Sequence, residues 1–184
     1  MRIAVLGGGN GSFAAAGDFA LAGHDVRLWR RDRAAVEAHR KAGSAILVKD
    51  FRGRHEAELA LVTNDIAEAM RDAELILCPA PATAQPDIAH ALAPHLRDGQ
   101  AVFLPPGTFG SYIFAKAVRD AGNRADAAFA ETGTLPWLTR KHGPHYTFLK
   151  AAPKATGELL RYEQWNIDHS SVVSFAGMAF SKQA

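Results

Sequence analysis

Apolar runs of strand length alternate along this chain with helix-forming segments, and glycine or proline separates most of them. The alternation opens with the apolar residues 2–6, the glycine-rich residues 7–11 and an alanine-rich segment that continues to Ala22. Comparable pairs of segments recur as far as residue 130. This order is typical of a parallel sheet covered by helices on both faces. The pattern therefore predicts an α/β fold with a doubly wound parallel sheet.

The limits of the predicted elements follow from the same periodicity and from the positions of glycine, proline and capping residues. Predicted strands are 2–6, 24–29, 45–48, 59–62, 73–78, 100–104 and 127–130. Predicted helices are 12–22, 33–42, a helix capped at 63–65 and ending at 70, 83–96 and 111–121. The polar residues 50–55 are predicted as a turn between two strands. We predict one domain over residues 1–150 and an extension without an assigned role over 151–184.

The residues between the first strand and the first helix match the order that a dinucleotide-binding fingerprint requires. Gly7 permits a tight turn, and Gly9 allows the backbone to approach a pyrophosphate because it has no Cβ atom. The next helix directs unpaired N–H groups and its positive dipole end at the same anion. The third fingerprint position holds a small residue other than glycine. A glycine-rich connection without a ligand is the alternative. The predicted contacts are Gly7, Gly9, Asn10, Gly11, Ser12 and Phe13.

The end of the second predicted strand is the place where this type of fold contacts the adenosine ribose, about 20 residues beyond the glycines. Arg30 lies 21 residues after Gly9, and Arg31 follows it. An arginine cannot accept a hydrogen bond from a ribose 2′-OH, but its planar guanidinium suits a 2′-phosphate. We therefore predict NADP(H) as the cofactor, with NAD(H) as the second choice. Alternatively, both arginines are solvated charges before a helix that Asp32 caps. Trp29 either flanks the adenine or packs at the rim of the core.

Three further loops follow predicted strands, and ligands of such sheets bind outside the carboxyl ends of the strands. These loops are residues 79–83, 105–108 and 131–134, and they contain proline, glycine, threonine or a carboxylate. Glu131 is a candidate to accept a hydrogen bond from a nicotinamide amide, or it is a solvated carboxylate. Simple strand termination uses the same residue types. The predicted contacts in these loops are Pro79, Ala80, Pro81, Thr83, Pro106, Gly107 and Glu131.

Composition excludes several classes of protein and partner. The net charge of +2 on 184 residues is too small to indicate nucleic acid or an anionic membrane as a partner. The single cysteine, Cys78, excludes an intrachain disulfide and is predicted to be a buried, unreactive thiol. No apolar run reaches the length of a membrane span, and the first residues do not resemble a signal peptide. The cytoplasm is the predicted location.

The histidines offer little candidate chemistry. His142 and His145 are close in sequence but lack a nearby carboxylate or thiolate at a ligand spacing, so we predict an exposed loop and no metal site. His169 follows Asp168, which resembles a base and its orienting group in composition only. No catalytic residue is assigned from the sequence.

Four segments, in order, resemble the N-terminal domain of the opine (octopine/nopaline) dehydrogenases. They are GGGNG at 7–11, AELILCPAPATA at 73–84, APHLRDGQAVFLPPGTFG at 93–110 and AETGTLPWLTR at 130–140. The resemblance implies a Rossmann-type domain that binds NAD(P)H. It also implies reductive condensation, in which an amino acid and a 2-oxo acid form an imine that hydride reduces. Ketopantoate reductase and glycerol-3-phosphate dehydrogenase share the architecture more distantly, so ketone reduction is a second interpretation.

The chain departs from that family in two respects. Arg30 occupies a position where an NAD enzyme often has an acidic residue. Family members also carry a helical second domain with the catalytic histidine–aspartate pair, whereas the matching here ends near residue 155. We therefore expect a cofactor domain without its substrate domain, which binds the cofactor but catalyses slowly unless a second domain or a homodimer completes the site. A non-catalytic NAD(P)-binding module is the third interpretation.

Overall fold

The computed structural model describes residues 1–50, 53–143 and 146–149, which form ten strands and five α-helices. The strands are β1 (Arg2–Leu6), β2 (Asp25–Trp29), β3 (Ala45–Asp50), β4 (Gly53–Glu58), β5 (Leu61–Thr63), β6 (Leu75–Leu77), β7 (Ala101–Leu104), β8 (Ala128–Glu131), β9 (Thr139–His142) and β10 (Tyr146–Leu149). The helices are α1 (Asn10–Leu21), α2 (Arg33–Lys41), α3 (Ile66–Met70), α4 (Gln85–Leu92) and α5 (Gly110–Asp120).

Six of the strands form the predicted parallel sheet, in the order β5-β2-β1-β6-β7-β8. The strand order reverses between β1 and β6, which are hydrogen-bonded neighbours in parallel register. In doubly wound sheets this reversal opens a crevice at the carboxyl ends of the two strands. The fold class predicted from the sequence is therefore confirmed, and the reversal places the crevice beside residues 7–11.

Helices cover both faces of the parallel sheet, which is why β1 is apolar without alternation. Ile3 and Val5 belong to the core that includes buried residues of α1 and α2. Ala4 and Leu6 belong to the opposite core, with buried residues of α3, α4 and α5. Helix α4 is shorter than the predicted helix 83–96, because 3-10 turns at Ala82–Ala84 and Ala93–His95 flank it.

A second sheet, which we call the accessory sheet, has the strand order β4-β3-β10-β9 and was not predicted. Helix α1 contacts all four of its strands and so lies between the two sheets. The two layers are close enough that a Cβ atom on Gly17 would lie 2.6 Å from Val48 Cγ2. Burial on both sides explains why α1 is buried continuously from Gly11 to Gly17.

The accessory sheet corrects two predictions. The segment 50–55 is not only a turn, because β4 begins at Gly53 and pairs antiparallel with β3. The predicted loop around His142 is partly a strand, since Thr139–His142 pairs antiparallel with β10. Polar residues dominate β4, and of its side chains Ala57 is buried, so its sequence resembles a turn.

Candidate functional site

A cleft of about 440 Å³ lies where the strand order reverses. This volume is within the range of small-molecule sites. Its lining is mostly apolar, with one basic and one acidic side chain. The lining residues are Gly7, Gly8, Gly9, Ser12, Trp29, Arg31, Pro79, Ala80, Pro81, Ala84, Asp87, Ile88 and Ala91. The structure thus brings together the glycine loop, the end of β2 and the loop after β6, as the sequence predicted.

The glycines of the loop meet different requirements. Gly7 has a φ of +128°, and a Cβ there would lie 2.6 Å from Ser12 Oγ, so the fold itself requires glycine. Gly11 allows α1 to approach the loop after β6, because its Cβ would lie 2.9 Å from the Pro79 carbonyl oxygen. Gly9 has an ordinary φ of −87°, and a Cβ there would meet no atom within 4 Å. The space beside Gly9 is therefore open towards the cleft.

Helix α1 begins directly after Gly9, and the first N–H groups of a helix have no partner within it. Gly9 and Asn10 are exposed. Phe13 does not share this role, because its N–H donates to the Gly9 carbonyl oxygen at 3.2 Å and its side chain is fully buried. The Gly7 N–H also has a partner within the fold, because it donates to the Trp29 carbonyl oxygen at 2.9 Å.

The two arginines after β2 have different environments. Arg31 is exposed, lines the cleft and pairs through Nη1 with Asp87 Oδ2 at 2.9 Å. Arg30 is 7% exposed, does not line the cleft and donates from Nη1 to the Ala35 carbonyl oxygen at 2.9 Å. The alternative of two solvated charges is therefore wrong for Arg30. The same alternative also predicted that Asp32 caps the next helix. This is correct, because Asp32 accepts from the Ala35 N–H at the start of α2.

Trp29 forms part of the cleft wall and is itself held in place. Its indole Nε1–H donates to the Asn64 carbonyl oxygen at 3.1 Å, and 7% of the residue is exposed. Ala84, Ile88 and Ala91 also line the cleft. Together these side chains form an apolar surface on which a flat ring can pack.

Lys141 reaches the glycine loop from the accessory sheet, which no local pattern in the sequence indicated. Its Nζ donates to the Gly8 carbonyl oxygen at 3.1 Å and lies 4.3 Å from the centre of the Phe13 ring. Its backbone N–H donates to Asn10 Oδ1 at 2.9 Å. Burial lowers the pKa of Lys141, the Arg30 charge lowers it further, and Asp32 acts in the opposite direction.

Gln85, another residue that the sequence did not indicate, connects two of the strand-end loops. Its buried side chain donates from Nε2 to the Pro106 carbonyl oxygen at 3.1 Å and to that of Ala80 at 3.4 Å. Pro106 and Gly107 lie in the second loop and are not among the lining residues, and neither is the exposed Thr83. The Gln85 amide therefore connects the second loop to the first by hydrogen bonds, although the second loop does not line the cleft.

Glu131 stabilises the start of α5. Its Oε1 accepts from the Phe109 N–H at 2.9 Å and its Oε2 from the Ser111 N–H at 2.8 Å. Gly107 lies directly against this carboxylate, since a Cβ there would overlap Glu131 Cβ. Glu131 is thus a half-buried helix cap rather than a fully solvated carboxylate, and its contact with a nicotinamide stays a prediction.

Several classes of site find no support in the part of the chain that the structure describes. Those residues contain no group of three or more histidine, cysteine, aspartate or glutamate side chains that could hold a metal ion. His142 is exposed at the end of β9, whereas His145, Asp168 and His169 lie outside the described residues. Cys78 is fully buried, and burial raises its pKa to about 12, so the thiol is unreactive as predicted. Among the described helices, none is long and apolar enough to cross a membrane.

Comparison with known proteins identifies a family and relatives for this chain. The family model for the N-terminus of NAD-dependent glycerol-3-phosphate dehydrogenase matches residues 2–112. An opine dehydrogenase of Arthrobacter sp. (strain 1C) is 34% identical over 142 residues, which are 77% of this chain and 39% of that protein. This chain thus spans about two fifths of the length of that relative.

Two solved structures share the fold. Octopine dehydrogenase in complex with NADH and agmatine has a TM-score of 0.70 at 22% identity, over 80% of this chain and 39% of that one. Other structures of octopine dehydrogenase hold NADH with pyruvate or with L-arginine. Yersinopine dehydrogenase with NADP⁺ bound has a TM-score of 0.63 at 14% identity, over 82% of this chain and 38% of that one.

The resemblance to the opine dehydrogenases is therefore confirmed. The chain belongs to the family of NAD-dependent glycerol-3-phosphate dehydrogenase N-terminal domains, is related to opine dehydrogenase, and is an NAD(P)-binding domain of that oxidoreductase superfamily.

Proposed function

We propose that this domain binds NADP(H) in preference to NAD(H) and presents it for the reduction of an imine formed from an amino acid and a 2-oxo acid. The observation that carries cofactor binding is the cleft beside Gly9. The start of α1 faces open space there, since a Cβ atom on Gly9 would have no protein atom within 4 Å. A helix start of this kind favours a pyrophosphate, because its free N–H groups and its dipole both attract the anion.

The residues around the cleft suit the rest of a dinucleotide. Trp29, Ala84 and Ile88 form an apolar wall suited to an adenine ring. Ala80 and Pro81 line the same cleft, and we assign them to the nicotinamide half of the cofactor. When bound, the reduced nicotinamide supplies a hydride, and the role of the protein is to orient it and to exclude water.

Charge at the ribose end supports the preference for NADP(H). Arg31 lines the cleft, and its guanidinium can donate two parallel hydrogen bonds to a phosphate. The nearest acid after β2, Asp32, is already the cap of α2. The end of β2 therefore offers the ribose a hydrogen-bond donor, Arg31, and not the acceptor that a 2′-OH requires.

The test is titration of NADPH and NADH against the wild type and Arg31→Ala. We expect the variant to lose about tenfold to a hundredfold in NADPH affinity, the value of one charge-assisted contact, with little change for NADH. Arg33→Ala is the matched control, because Arg33 is equally exposed but pairs with Glu37 on α2. Equal affinities of the wild type for both cofactors would contradict the proposed preference.

The reaction class is supported by the relationship to the Arthrobacter opine dehydrogenase. Among the described residues that line the cleft, Arg31 and Asp87 are the charged ones, and they are paired with each other. Apart from this ion pair, the described lining of the cleft has no charged side chain that could protonate an imine nitrogen, and the loss of general acid catalysis costs about 10²–10⁴-fold. We therefore propose that this chain binds the cofactor but turns over slowly by itself.

A panel of substrates with NADPH distinguishes the reaction classes. The panel contains 2-oxo acids with amino acids, and the ketones dihydroxyacetone phosphate and ketopantoate, since the matching family model favours ketone reduction as the second candidate. Slow oxidation of NADPH that needs both an amine and a 2-oxo acid supports the proposal. Oxidation with a ketone alone favours the second candidate, and binding without any oxidation favours a non-catalytic module.

A further inference from the structure

Two cationic side chains pack against one aromatic ring beside the glycine loop. Lys141 Nζ lies 4.3 Å and Arg30 Cζ 5.3 Å from the centre of the Phe13 ring. Arg30 is 7% exposed and Lys141 is half-buried, so water screens their repulsion less than it would at the surface. Such a pair is unfavourable unless an anion compensates it.

The described surroundings supply little compensation. Asp32 is the acid that acts on both cations, but its carboxylate also accepts from the Ala35 N–H as the cap of α2. The buried Nε of Arg30 has no hydrogen-bond partner among the described residues. Helices α1 and α2 both begin here, and each adds a partial positive charge. The excess of positive charge indicates a site for an anion.

This cluster lies directly beside the cofactor cleft. A Cβ on Gly8 would lie 3.0 Å from Arg30 Nε, and Lys141 Nζ donates to the Gly8 carbonyl oxygen. Gly8 itself lines the cleft. An ammonium group has three donors, so Lys141 can bind an anion while it keeps the bond to Gly8.

We propose that Lys141 determines cofactor specificity by binding the 2′-phosphate of NADP(H) together with Arg30, in addition to the contact proposed for Arg31. The proposal rests on the NADP(H) preference proposed above and names a ligand from the accessory sheet, 111 residues beyond Arg30 in sequence. A phosphate between the two cations replaces their repulsion with two charge-assisted contacts. The competing explanation is that Lys141 merely holds the glycine loop through Gly8 and Asn10, which would affect every adenine nucleotide alike.

Calorimetric titration of the full chain with AMP and with adenosine 2′,5′-bisphosphate separates these explanations, because the two probes differ by the 2′-phosphate. We expect the wild type to prefer the bisphosphate. Lys141→Met should weaken bisphosphate binding by about tenfold to a hundredfold and change AMP binding less than twofold. Lys141→Gln keeps a donor for Gly8 without the charge and should behave like Lys141→Met, whereas Lys141→Arg should retain the preference. Lys116→Met is the control, since exposed Lys116 pairs with Asp120 on α5.

The possible failures are distinguishable once circular dichroism and thermal melting confirm that a variant is folded. Equal losses for both probes in Lys141→Gln mean that Lys141 only positions the loop, and overturn the inference. An unchanged preference in a folded neutral variant also overturns it, while the proposed NADP(H) preference stands. A wild type that binds both probes equally refutes that preference and the role of Lys141 together.

Discussion

Gly9 provides a direct test of the pyrophosphate site, because a side chain there would obstruct a ligand without disturbing the fold. Its φ of −87° and ψ of −171° are accessible to any residue, and a Cβ would meet no protein atom within 4 Å. Gly9→Val changes the N-cap of α1, where valine is less favourable than glycine by up to about 1 kcal/mol. Because domains are stable by about 5–15 kcal/mol, the variant should remain folded.

The expected loss in binding is larger than the loss in stability. Each hydrogen bond from an N–H group to a charged phosphate contributes about 1.5–3 kcal/mol. Displacing the phosphate from one such group by a branched side chain therefore costs about tenfold to a hundredfold in affinity, and displacement from two costs more. We expect Gly9→Val to weaken NADPH and NADH equally, since both share the pyrophosphate.

The assay combines fluorescence titration of both cofactors with urea denaturation of the same preparations. Gly7→Val is the control for a structural glycine: with φ at +128° and Ser12 Oγ 2.6 Å from the added Cβ, it should lose the fold and the binding together. A folded Gly9→Val protein with wild-type affinity for NADPH would refute the assignment of the pyrophosphate to this loop.

Two other carboxylates give separate predictions. Asp87→Asn removes the acid that pairs with Arg31, and should raise NADPH affinity about two- to fivefold, the value of an exposed ion pair, without tightening NADH. Glu37→Gln, which breaks an ion pair on α2, should change neither affinity, and a decrease for NADPH in Asp87→Asn would contradict the reasoning. Glu131→Ala leaves the N–H groups of Phe109 and Ser111, at the start of α5, without their acceptor and should cost about 1–3 kcal/mol in urea denaturation. The exposed Glu56→Ala should stay within about 0.5 kcal/mol of the wild type, and an equally small effect at Glu131 would disprove the capping role.

The parts of the site that could be predicted from the sequence are those in which neighbours in the chain are also neighbours in space. Residues 2–29 contain a strand, a turn, a helix and a strand, and these alone place the glycine loop against the end of β2. The loop at 79–81 could be added because carboxyl ends of parallel strands share one edge of the sheet. Each of these inferences needs only local pattern and a general rule of topology.

The remaining parts of the site depend on strand pairing between distant segments, which local sequence patterns do not indicate. Strand β10 pairs with β3 in the register Tyr146–Leu47, across most of the described chain. Without that pairing, nothing in the sequence distinguishes Lys141 from the other six lysines of the chain. Glu131 illustrates the same limit. Its carboxylate oxygens accept from the N–H groups of Phe109 and Ser111, which lie about 20 residues earlier in the chain at the start of α5.

The accessory sheet connects the fold to the proposed chemistry through α1. A helix that packs on a single sheet can shift along it, but α1 is held between two sheets, and Gly17 allows Val48 to pack directly against its backbone. The same sheet donates to Asn10 and to Gly8 at the start of the helix. These contacts fix the direction in which the first N–H groups point before any ligand arrives, so little ordering remains to be done on binding. The strands that the sequence did not reveal therefore act on the site that it revealed most clearly.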